Sequence, residues 1–381
     1  MAHFEFHSYL ASKFSNQTKL QITTKPLQGG FTNLTIRASF QPPVEYETHL
    51  LESVILKYAP PFVASDPTQP LSVYRQTIEA EALRILSGSG DIPAISELLQ
   101  TYVGRVRVPQ LVYHDVEENI LWISDLGETN TLSKYLTFTP TPSAPDIKDT
   151  AIALGSFLGK LFVATRDPAP DAIALLSRPN VNEIVELVGG MTKKSLLRSH
   201  FSEAESLAAR VEEALRDGGK QEQCIGMVDL WPESILIDSS RQCGLIDWEY
   251  FGLSNAASEI GMLLAHLHIL TVINQSSVSV SAALRQFISS LLRSFVANMQ
   301  APSAYFKHRA LVTHGRELIN GFDLYSDKLD ALARDAVVQA GVNSLRAAGR
   351  TEVDINLPIL SLNGGEWIWA DFGLLFSLPE V

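Results

Sequence analysis

Two aspartates and a serine in the second half of the chain have types and spacing that could support chemistry. Asp229 lies in the segment MVDLWPESIL, Ser234 follows five residues later, and Asp247 ends an apolar segment 18 residues after Asp229. An aspartate that follows an apolar strand and faces a cleft is costly unless a cation or a metal ion pairs with it. Two buried aspartates can occur by chance. This spacing, beside the apolar ILI and GLI strands, favours one shared ionic site instead.

The order of these residues matches a catalytic loop. In protein kinases the loop reads H-R-D-L-x-x-x-N, and a later aspartate binds Mg²⁺. Asp229 stands at the loop aspartate, Ser234 at the asparagine and Asp247 at the later aspartate. The pattern predicts phosphoryl transfer, which depends on alignment and charge neutralisation more than on covalent chemistry.

Lys57, in the apolar segment VILKYA, is the candidate phosphate-binding cation. Its neighbours place it in a lobe interior or a cleft, where an ammonium needs a carboxylate partner. The alternative is a lysine at a strand end with its amine in solvent. Glu79 and Glu81 follow in TIEAEALRIL, about 200° apart around a helix. At most one of them should face Lys57, and we expect Glu79 to do so, although most helical glutamates are simply solvated.

A glycine-rich turn separates two strand-like segments before Lys57. Such a turn lets backbone amides approach a phosphate without interference from a Cβ atom. An ordinary Gly-Gly hairpin turn explains the same residues, and the pattern departs from the G-x-G-x-x-G of protein kinases. The residues of this turn are Gly29, Gly30, Phe31, Thr32 and Asn33.

The first 125 residues have mostly strand character. Residues 1–20 predict a short amphipathic helix, and residues 21–60 alternate as strands. The Pro-rich segment 60–70 predicts a loop that no regular element crosses. Residues 72–86 predict a helix that ends at a Gly/Ser cluster, and residues 107–126 predict two strands joined by an acidic turn.

After residue 125 the helical period dominates. Helices are predicted across most of the region, including 203–217 and most of 255–350. Residues 225–251 interrupt them with two short strands around loops. The apolar run 260–273 is shorter than the roughly 18 residues that a membrane span requires, and we expect a buried helix there. Periodicity alone therefore predicts an α+β protein.

The segment IGMVDLWPESILID...GLIDWEYFG resembles the aminoglycoside phosphotransferase-like (APH) superfamily, whose usual form is H-G-D-L-x-x-x-N followed by I-D-W/F-E. With LQGGFTNLTIR, VILKYA and IEAEAL, the chain is most similar to fungal small-molecule kinases of this superfamily and, more distantly, to methylthioribose kinases. The resemblance spans about residues 25–270 and is much weaker beyond. It implies a protein-kinase-like fold with a β-rich N-lobe (1–125) and a mostly helical C-lobe (126–381).

The resemblance also implies ATP and Mg²⁺ as cofactors, with roles for the residues that match. Asp229 would be the catalytic base that accepts the proton of the substrate hydroxyl. Asp247 would bind Mg²⁺, with Glu249 and Ser234 as further metal ligands. Met227 replaces the usual histidine and Ser234 the usual asparagine, so a nucleotide-binding pseudoenzyme stays open as an alternative.

The same resemblance assigns the nucleotide contacts. Lys57 would contact the α- and β-phosphates, with Glu79 as its brace, and residues 29–33 would cover the phosphates. The segment 123–126 would be the interlobe hinge that binds adenine through backbone groups. The contact residues there would be Ser124, Asp125 and Leu126.

The acceptor site is expected in the helical lobe beyond Asp229. The segment GGEWIWADFG could form an aromatic wall for a cationic amine, but a C-terminal anchor packed on the helices is the favoured interpretation. No adjacent Arg pair occurs in residues 300–350, which counts against a methylthioribose-type substrate. Polar or aromatic candidates for the site are Trp231, Trp248, Glu249, Tyr250, His314, Arg316, Trp367, Trp369 and Asp371.

Composition limits the classes of partner. The formal net charge is −12, which argues against general nucleic-acid binding and against an anionic membrane surface. Hydrophobic residues make up 46% and charged residues 19% of the chain, which indicates a large core rather than disorder. Two cysteines allow no disulfide framework, and the first residues lack the pattern of a signal peptide. We therefore expect a cytoplasmic protein, with a monomer favoured.

Together these features predict a kinase that transfers phosphate from ATP to a hydroxyl of a small amine- or sugar-like molecule. Two alternatives remain besides it: a weak or inactive nucleotide-binding pseudokinase, and a phosphotransferase that inactivates antibiotics. A protein kinase is disfavoured because the D-F-G and A-P-E motifs and the standard glycine loop do not occur.

Overall fold

The computed structural model describes most of the chain between residues 4 and 377. It leaves out residues 28–29, 88–91, 103, 139, 177–180, 218–219 and 350–365, and also the side chains of 181–186, 322–323 and 366–367. Gly29, a predicted phosphate-loop residue, therefore lies outside the described residues.

The N-terminal part of the chain is built around a five-stranded antiparallel sheet in the order β1-β2-β3-β8-β7. The elements in chain order are α1 (Phe6–Lys13), β1 (Gln21–Pro26), β2 (Leu34–Tyr46), β3 (His49–Tyr58), β4 (Phe62–Val63), β5 (Asp66–Pro70), α2 (Tyr74–Leu86), α3 (Pro93–Thr101), β6 (Val106–Arg107), β7 (Leu111–Asp115) and β8 (Ile120–Ser124). The strands predicted in 21–60 and 107–126 are confirmed. Strand β3 is central and places Lys57 opposite Thr35 of β2 and Leu121 of β8.

Helix α1 covers one end of this sheet through aromatic packing. The indole of Trp122, fully buried on β8, lies 6.1 Å from the ring of Tyr9 and 6.0 Å from that of Phe14. Its Nε1 donates to the Tyr9 hydroxyl at 3.1 Å, and that hydroxyl donates to Asp115 Oδ2 at 2.9 Å. The buried polar groups are thus paired, as burial requires.

The Pro-rich segment 60–70 is not a structureless loop as predicted. Strands β4 and β5 form a small antiparallel hairpin there, with Phe62 opposite Pro70 and Val63 opposite Asp66. Proline is tolerated in an edge strand because its missing N–H faces away from the ladder. The hairpin leads into α2, the helix that carries Glu79.

The remainder of the chain is mostly helical, as the period predicted. Its elements are β9 (Thr129–Thr131), α4 (Leu132–Thr137), α5 (Ala144–Ala164), α6 (Pro170–Leu176), α7 (Val181–Arg198), α8 (Ala204–Asp217), β10 (Gln223–Gly226), a 3₁₀ turn (Pro232–Ser234), β11 (Ile235–Asp238), β12 (Cys243–Leu245), β13 (Gly252–Asn255), α9 (Ala256–Ile273), α10 (Val278–Ala297), α11 (Ala304–Leu324), α12 (Ala331–Ala348) and α13 (Glu366–Phe376). An antiparallel sheet followed by a helical lobe is the two-lobed, protein-kinase-like α+β fold.

Helix α9 runs through the centre of the helical lobe. It has 18 residues, longer than the apolar run that predicted it, and by length and composition alone it could cross a membrane. However, 78% of that window is buried inside the structure, as in the core helix of a soluble protein. The predicted buried helix is confirmed.

Short strands hold the loops that carry Asp229 and Asp247. Strand β10 pairs with β13, and β11 lies between β12 and β9 in a second small sheet. Strand β6 also joins that sheet by pairing in parallel with β12, so residues 106–107 belong structurally with the C-terminal loops. Each loop is therefore fixed at both ends by strand pairing.

The C-terminal helix α13 packs on the helical lobe. Phe372 is fully buried, 4.9 Å from the ring of His314 on α11 and 5.8 Å from that of Trp369. Asp371 Oδ2 lies 3.1 Å from His268 Nε2. These contacts agree with the anchor interpretation of GGEWIWADFG.

Candidate active site

Lys57 forms the ionic centre of the cleft between the sheet and the helices. Its Nζ donates to Glu79 Oε1 at 2.8 Å, to Glu79 Oε2 at 2.6 Å and to Asp247 Oδ1 at 2.6 Å. Burial alone would lower the pKa of Lys57, but Asp247, Glu79 and Glu249 raise it above its usual value. The ammonium therefore stays charged and joins strand β3, helix α2 and the loop after β12.

Helix α2 presents the expected glutamate to Lys57. Glu79 is 2% exposed, and burial raises the pKa of its carboxyl while Lys57 opposes that shift. Glu81 is half-buried, and its negative charge raises the pKa of His114 against a larger lowering by burial. The angular separation of the two glutamates accounts for this division of partners.

Asp229 is half-buried on the loop that follows β10. Burial raises the pKa of its carboxyl well above the ordinary value, and the carboxylates of Asp247, Glu249, Glu317 and Glu259 add to that shift. The structure thus brings Asp229 and Asp247 into one acidic cluster. Excess negative charge of this kind favours a bound cation.

The backbone before Asp229 is strained. Val228 has a φ of 68°, in the left-handed region that β-branched residues rarely adopt, and the usual family form has glycine at this position. Its backbone N–H donates to Glu259 Oε1 at 2.8 Å, which also accepts from Ser254 Oγ at 2.6 Å. Burial raises the pKa of Glu259 to about 7. Glu259 could not be identified from motif spacing, because its contact with Val228 is set by tertiary structure alone.

Ser234 is fully buried, and its hydroxyl already serves the catalytic loop. Its Oγ donates to Trp231 O at 2.8 Å and accepts from Trp231 N at 3.1 Å. One lone pair of the hydroxyl oxygen is left for any other ligand. These contacts show that the Ser234 hydroxyl stabilises the 3₁₀ turn.

Glu249 faces the glycine-rich turn. Its Oε1 accepts from Thr32 Oγ1 at 2.9 Å, and its Oε2 accepts from Asn33 Nδ2 at 2.7 Å. At Gly30 a Cβ atom would lie 3.0 Å from Asn33 O, so the turn favours glycine there. The exposed ring of Phe31 lies 6.2 Å from that of Trp231. The described part of the turn thus reaches the second lobe.

The predicted hinge, residues 123–126, spans the end of β8 and the residues after it. Ser124 is held at both its backbone and its hydroxyl by Gln110, at 2.8 Å each. The Asp125 carboxylate accepts from Arg37 Nη2 at 3.0 Å and from Ser53 Oγ at 2.8 Å. Leu126 O lies 3.4 Å from Arg107. The side chains of Ser124 and Asp125, the Ser124 N–H and the Leu126 carbonyl are therefore already bonded within the protein.

A largely buried aromatic and acidic cluster lies beyond the catalytic loop. The Trp231 ring is 5.5 Å from that of His266, which is 5.9 Å from that of Tyr325. His266 Nε2 lies 3.6 Å from Glu317 Oε2. Burial opposes ionisation of Glu317, but Arg316 and His266 hold the pKa of its carboxyl at about 2. His266, Glu317 and Tyr325 were missed because only the fold brings α9 and α11 beside Trp231.

Several acceptor candidates have other roles in the structure. Trp248 is fully buried, and its Nε1 donates to Leu245 O at 2.9 Å. His314 is buried between His268 at 2.8 Å and Ser344 at 3.0 Å. These side chains belong to the core of the helical lobe. The side chain of Trp367 lies outside the described residues.

A metal at this site would need ligands beyond the protein. Across the described residues, no group of three or more His, Cys, Asp or Glu side chains is arranged to hold a metal ion. Mg²⁺ is commonly bound by one or two carboxylates together with waters and substrate phosphates. The partly exposed carboxylate of Asp247 in an acidic cluster fits that mode.

The two curated relatives that match this chain carry the same name. The chain is 27% identical over 337 residues to the 4-hydroxytryptamine kinase of Psilocybe cyanescens, covering 85% of this chain and 87% of the relative. It is also 27% identical over 262 residues to the 4-hydroxytryptamine kinase of Psilocybe cubensis, covering 65% and 68% of the two chains.

Solved structures with a similar fold share little sequence. The gentamicin complex of APH(2")-IIa is 13% identical with a TM-score of 0.47, and the match covers 93% of this chain and 98% of that chain. Choline kinase LicA from Streptococcus pneumoniae is 14% identical with a TM-score of 0.47, over 90% and 99%.

A family profile gives the assignment. The profile of the phosphotransferase enzyme family APH matches residues 61–279, more than half of the chain. The match includes Glu79, Asp229 and Asp247, the residues that converge on or beside Lys57 in the cleft. The chain therefore belongs to the APH phosphotransferase enzyme family, and it is a small-molecule kinase.

Proposed function

We propose that the chain transfers the γ-phosphate of ATP to a hydroxyl group of a small cationic molecule. The observation that carries this proposal is the contact of Lys57 with both Glu79 and Asp247, at 2.6–2.8 Å. A lysine so placed, on the central strand, paired with a helix glutamate and facing a loop aspartate, resembles the arrangement that protein kinases use for phosphoryl transfer.

The proposed chemistry assigns one task to each group. Lys57 neutralises phosphate charge, and Glu79 holds it in place. Asp247 would hold Mg²⁺, which neutralises and orients the phosphates when it is bound. Residues 30–33 would cover the phosphates. The backbone of residues 123–126 would receive the adenine.

Asp229 would accept the proton of the acceptor hydroxyl. The raised pKa of its carboxyl makes the ionised form a stronger proton acceptor. A cationic acceptor and bound Mg²⁺ would both favour that ionised form, because they offset the neighbouring carboxylates. The proton-accepting form of Asp229 would therefore be favoured most when both Mg²⁺ and the acceptor are bound.

The class of acceptor is inferred from the aromatic and acidic cluster beside the catalytic loop. Trp231, which is partly exposed, would offer its ring face to a planar or cationic group, while His266, Tyr325 and the ionised Glu317 lie buried behind it. The relatives named 4-hydroxytryptamine kinase have names that point to a hydroxylated aromatic amine. We therefore infer that the acceptor is a hydroxylated amine, and that an aromatic amine is favoured over an aliphatic one.

Turnover with a panel of hydroxylated amines, alcohols and sugars tests this proposal. Asp229→Asn should lower kcat roughly 10²–10⁴-fold, since it removes the general base, and should leave the affinity for ATP within about twofold. Asp149→Asn, the same change at an exposed site on α5, is the matched control and should keep wild-type turnover. Full turnover by Asp229→Asn would disprove the assignment of the base.

A second candidate is a nucleotide-binding protein without turnover. The observation that favours it is the commitment of the Ser234 hydroxyl to Trp231, at the position where the family usually has asparagine. Retained Mg²⁺-dependent ATP binding without turnover on every acceptor in the panel would support it.

A further inference from the structure

Glu249 is almost completely buried, and both of its oxygens are bound by the opposite lobe. It is 4% exposed, with Thr32 Oγ1 at 2.9 Å from Oε1 and Asn33 Nδ2 at 2.7 Å from Oε2. The same Asn33 amide also donates to Thr32 Oγ1 at 3.3 Å. Three side chains therefore close a ring of hydrogen bonds across the cleft.

Arg75 fixes this ring from behind. Its Nε donates to Asn33 Oδ1 at 3.2 Å and lies 3.7 Å from Glu249 Oε2. The remaining guanidinium hydrogens reach four backbone carbonyls, those of Thr32 at 2.9 Å, Pro60 at 3.0 Å, Ser72 at 2.7 Å and Leu71 at 3.4 Å. Arg75 is 4% exposed and its donors are used completely. It therefore has no capacity to follow Glu249 if that carboxylate turns away.

The ring is connected to the ionic centre through helix α2. Arg75 and Glu79 are four residues apart on this helix and share one face. Glu79 binds Lys57, which in turn binds Asp247, two residues before Glu249. The two lobes are thus joined by two parallel chains of contacts that start from one helix and end on one loop.

We propose that Glu249 is a positioning residue, which holds residues 30–33 over the cleft through Thr32 and Asn33, rather than a ligand of Mg²⁺. We call Thr32, Asn33, Arg75 and Glu249 the interlobe latch. To bind a metal, Glu249 would have to leave the buried Asn33 amide and the half-buried Thr32 hydroxyl without this acceptor, and burial makes such a loss costly. Asp247 has no such commitment to the turn, so it is the carboxylate left for the metal.

The effect of the latch on nucleotide rests on the proposed ATP-dependent function. With the latch closed, the described part of the turn keeps its backbone over the phosphate position. Opening it should weaken nucleotide binding about tenfold, because the ordering of the turn must then accompany binding. It should leave the Mg²⁺ concentration for half-saturation unchanged, since no metal ligand is lost.

The test is a double-mutant cycle on Asn33→Ala and Glu249→Gln. The unfolding of the unliganded protein is measured first, where the latch predicts that the two effects are not additive. Nucleotide binding is then titrated at fixed and at varied Mg²⁺. The latch predicts a similar loss of nucleotide affinity in both single variants and a Mg²⁺ half-saturation within about twofold of wild type.

Two further variants serve as a control and as a replacement for Asn33→Ala. Ser65→Ala is the control, because Ser65 Oγ donates to Phe31 O of the same turn at 3.1 Å but does not contact Glu249. It should match wild type in every readout. Should Asn33→Ala fail to fold, Thr32→Val removes the other donor while keeping the shape of the side chain.

Two results would overturn the latch. One is a shift of about tenfold or more in the Mg²⁺ half-saturation with Glu249→Gln and none with Asn33→Ala, as a metal ligand requires. The other is additivity in the unliganded unfolding cycle. If the wild type binds no nucleotide, the proposed function fails, whereas the unfolding cycle still decides for or against the latch.

Discussion

Val228 concentrates the backbone strain of the catalytic loop in a single residue. Its φ of 68° is stabilised by the hydrogen bond from its N–H to Glu259 at 2.8 Å. The side chain is 39% exposed and makes little contribution to the core. The loop therefore adopts a left-handed conformation at a position where the usual family form has glycine and this chain has a β-branched side chain.

Val228→Gly should stabilise the protein by up to about 1 kcal/mol. The left-handed conformation costs a residue with a Cβ roughly 1–2 kcal/mol, and the greater freedom of glycine in the unfolded chain offsets part of the gain. Chemical denaturation measures the change.

Gly127→Ala is the converse control for this prediction. Gly127 has a φ of 85° and no atom within 4 Å of an added Cβ, so alanine should cost about 1 kcal/mol through the backbone alone. A loss of stability in Val228→Gly would show that the side chain, not the backbone, dominates at this position.

At the residue scale, the sequence predicted the charged pair but not its surroundings. Lys57 was identified by its apolar strand and Glu79 by its angle on the helix, since both signals are local. Arg75 and Glu259 gave no such signal, because an arginine or a glutamate in a helix is usually solvated. Their partners lie more than 30 residues away in sequence, at Asn33 and Val228.

Among the helices, α5 and α10 make one of the closest contacts through small residues. At Gly159 an added Cβ would lie 2.8 Å from Phe295 O and 2.9 Å from Asn298 Cβ, and Gly155 likewise faces the Leu291 carbonyl. A backbone carbonyl cannot move aside as a flexible side chain can. The approach of these two helices therefore depends on glycine.

Gly159→Ala should destabilise the protein by about 1–3 kcal/mol, the usual cost of overpacking a close contact. Gly190→Ala on α7 is the matched control, because nothing lies within 4 Å of its added Cβ. That variant should be stabilised by about 0.5–1 kcal/mol through helix propensity. Thermal unfolding of both variants measures the difference, and equal effects would contradict the packing account.

At the element scale, alternation and helical period predicted most strands and helices correctly. The hairpin of β4 and β5 was missed because proline-rich segments rarely form ladders, whereas an edge position tolerates them. The apolar run 260–273 covers only part of helix α9, since the first turn of that helix, Ala256 to Glu259, is less apolar than the rest. Sequence periodicity could not predict the pairing of β6 with β12, because strand partners are set by tertiary structure.

For the whole molecule, the principal feature is that the cleft is held together from both lobes. Lys57 contacts Asp247, Glu249 contacts the turn, and Phe31 packs near Trp231. The chain as a whole carries a net charge of −12, and several of its carboxylates converge on Asp229. This concentration of negative charge favours cations in the cleft, both Mg²⁺ and a protonated amine.

The central claim is that the cleft binds ATP together with Mg²⁺ through Asp247 and Lys57. Calorimetric titration of ATP, with and without Mg²⁺, into wild type, Asp247→Ala and the exposed-site control Asp149→Ala tests it most directly. The account predicts Mg²⁺-dependent binding by the wild type and the control, and loss of that dependence in Asp247→Ala. Binding by Asp247→Ala that keeps the affinity and Mg²⁺ dependence of the wild type would contradict it.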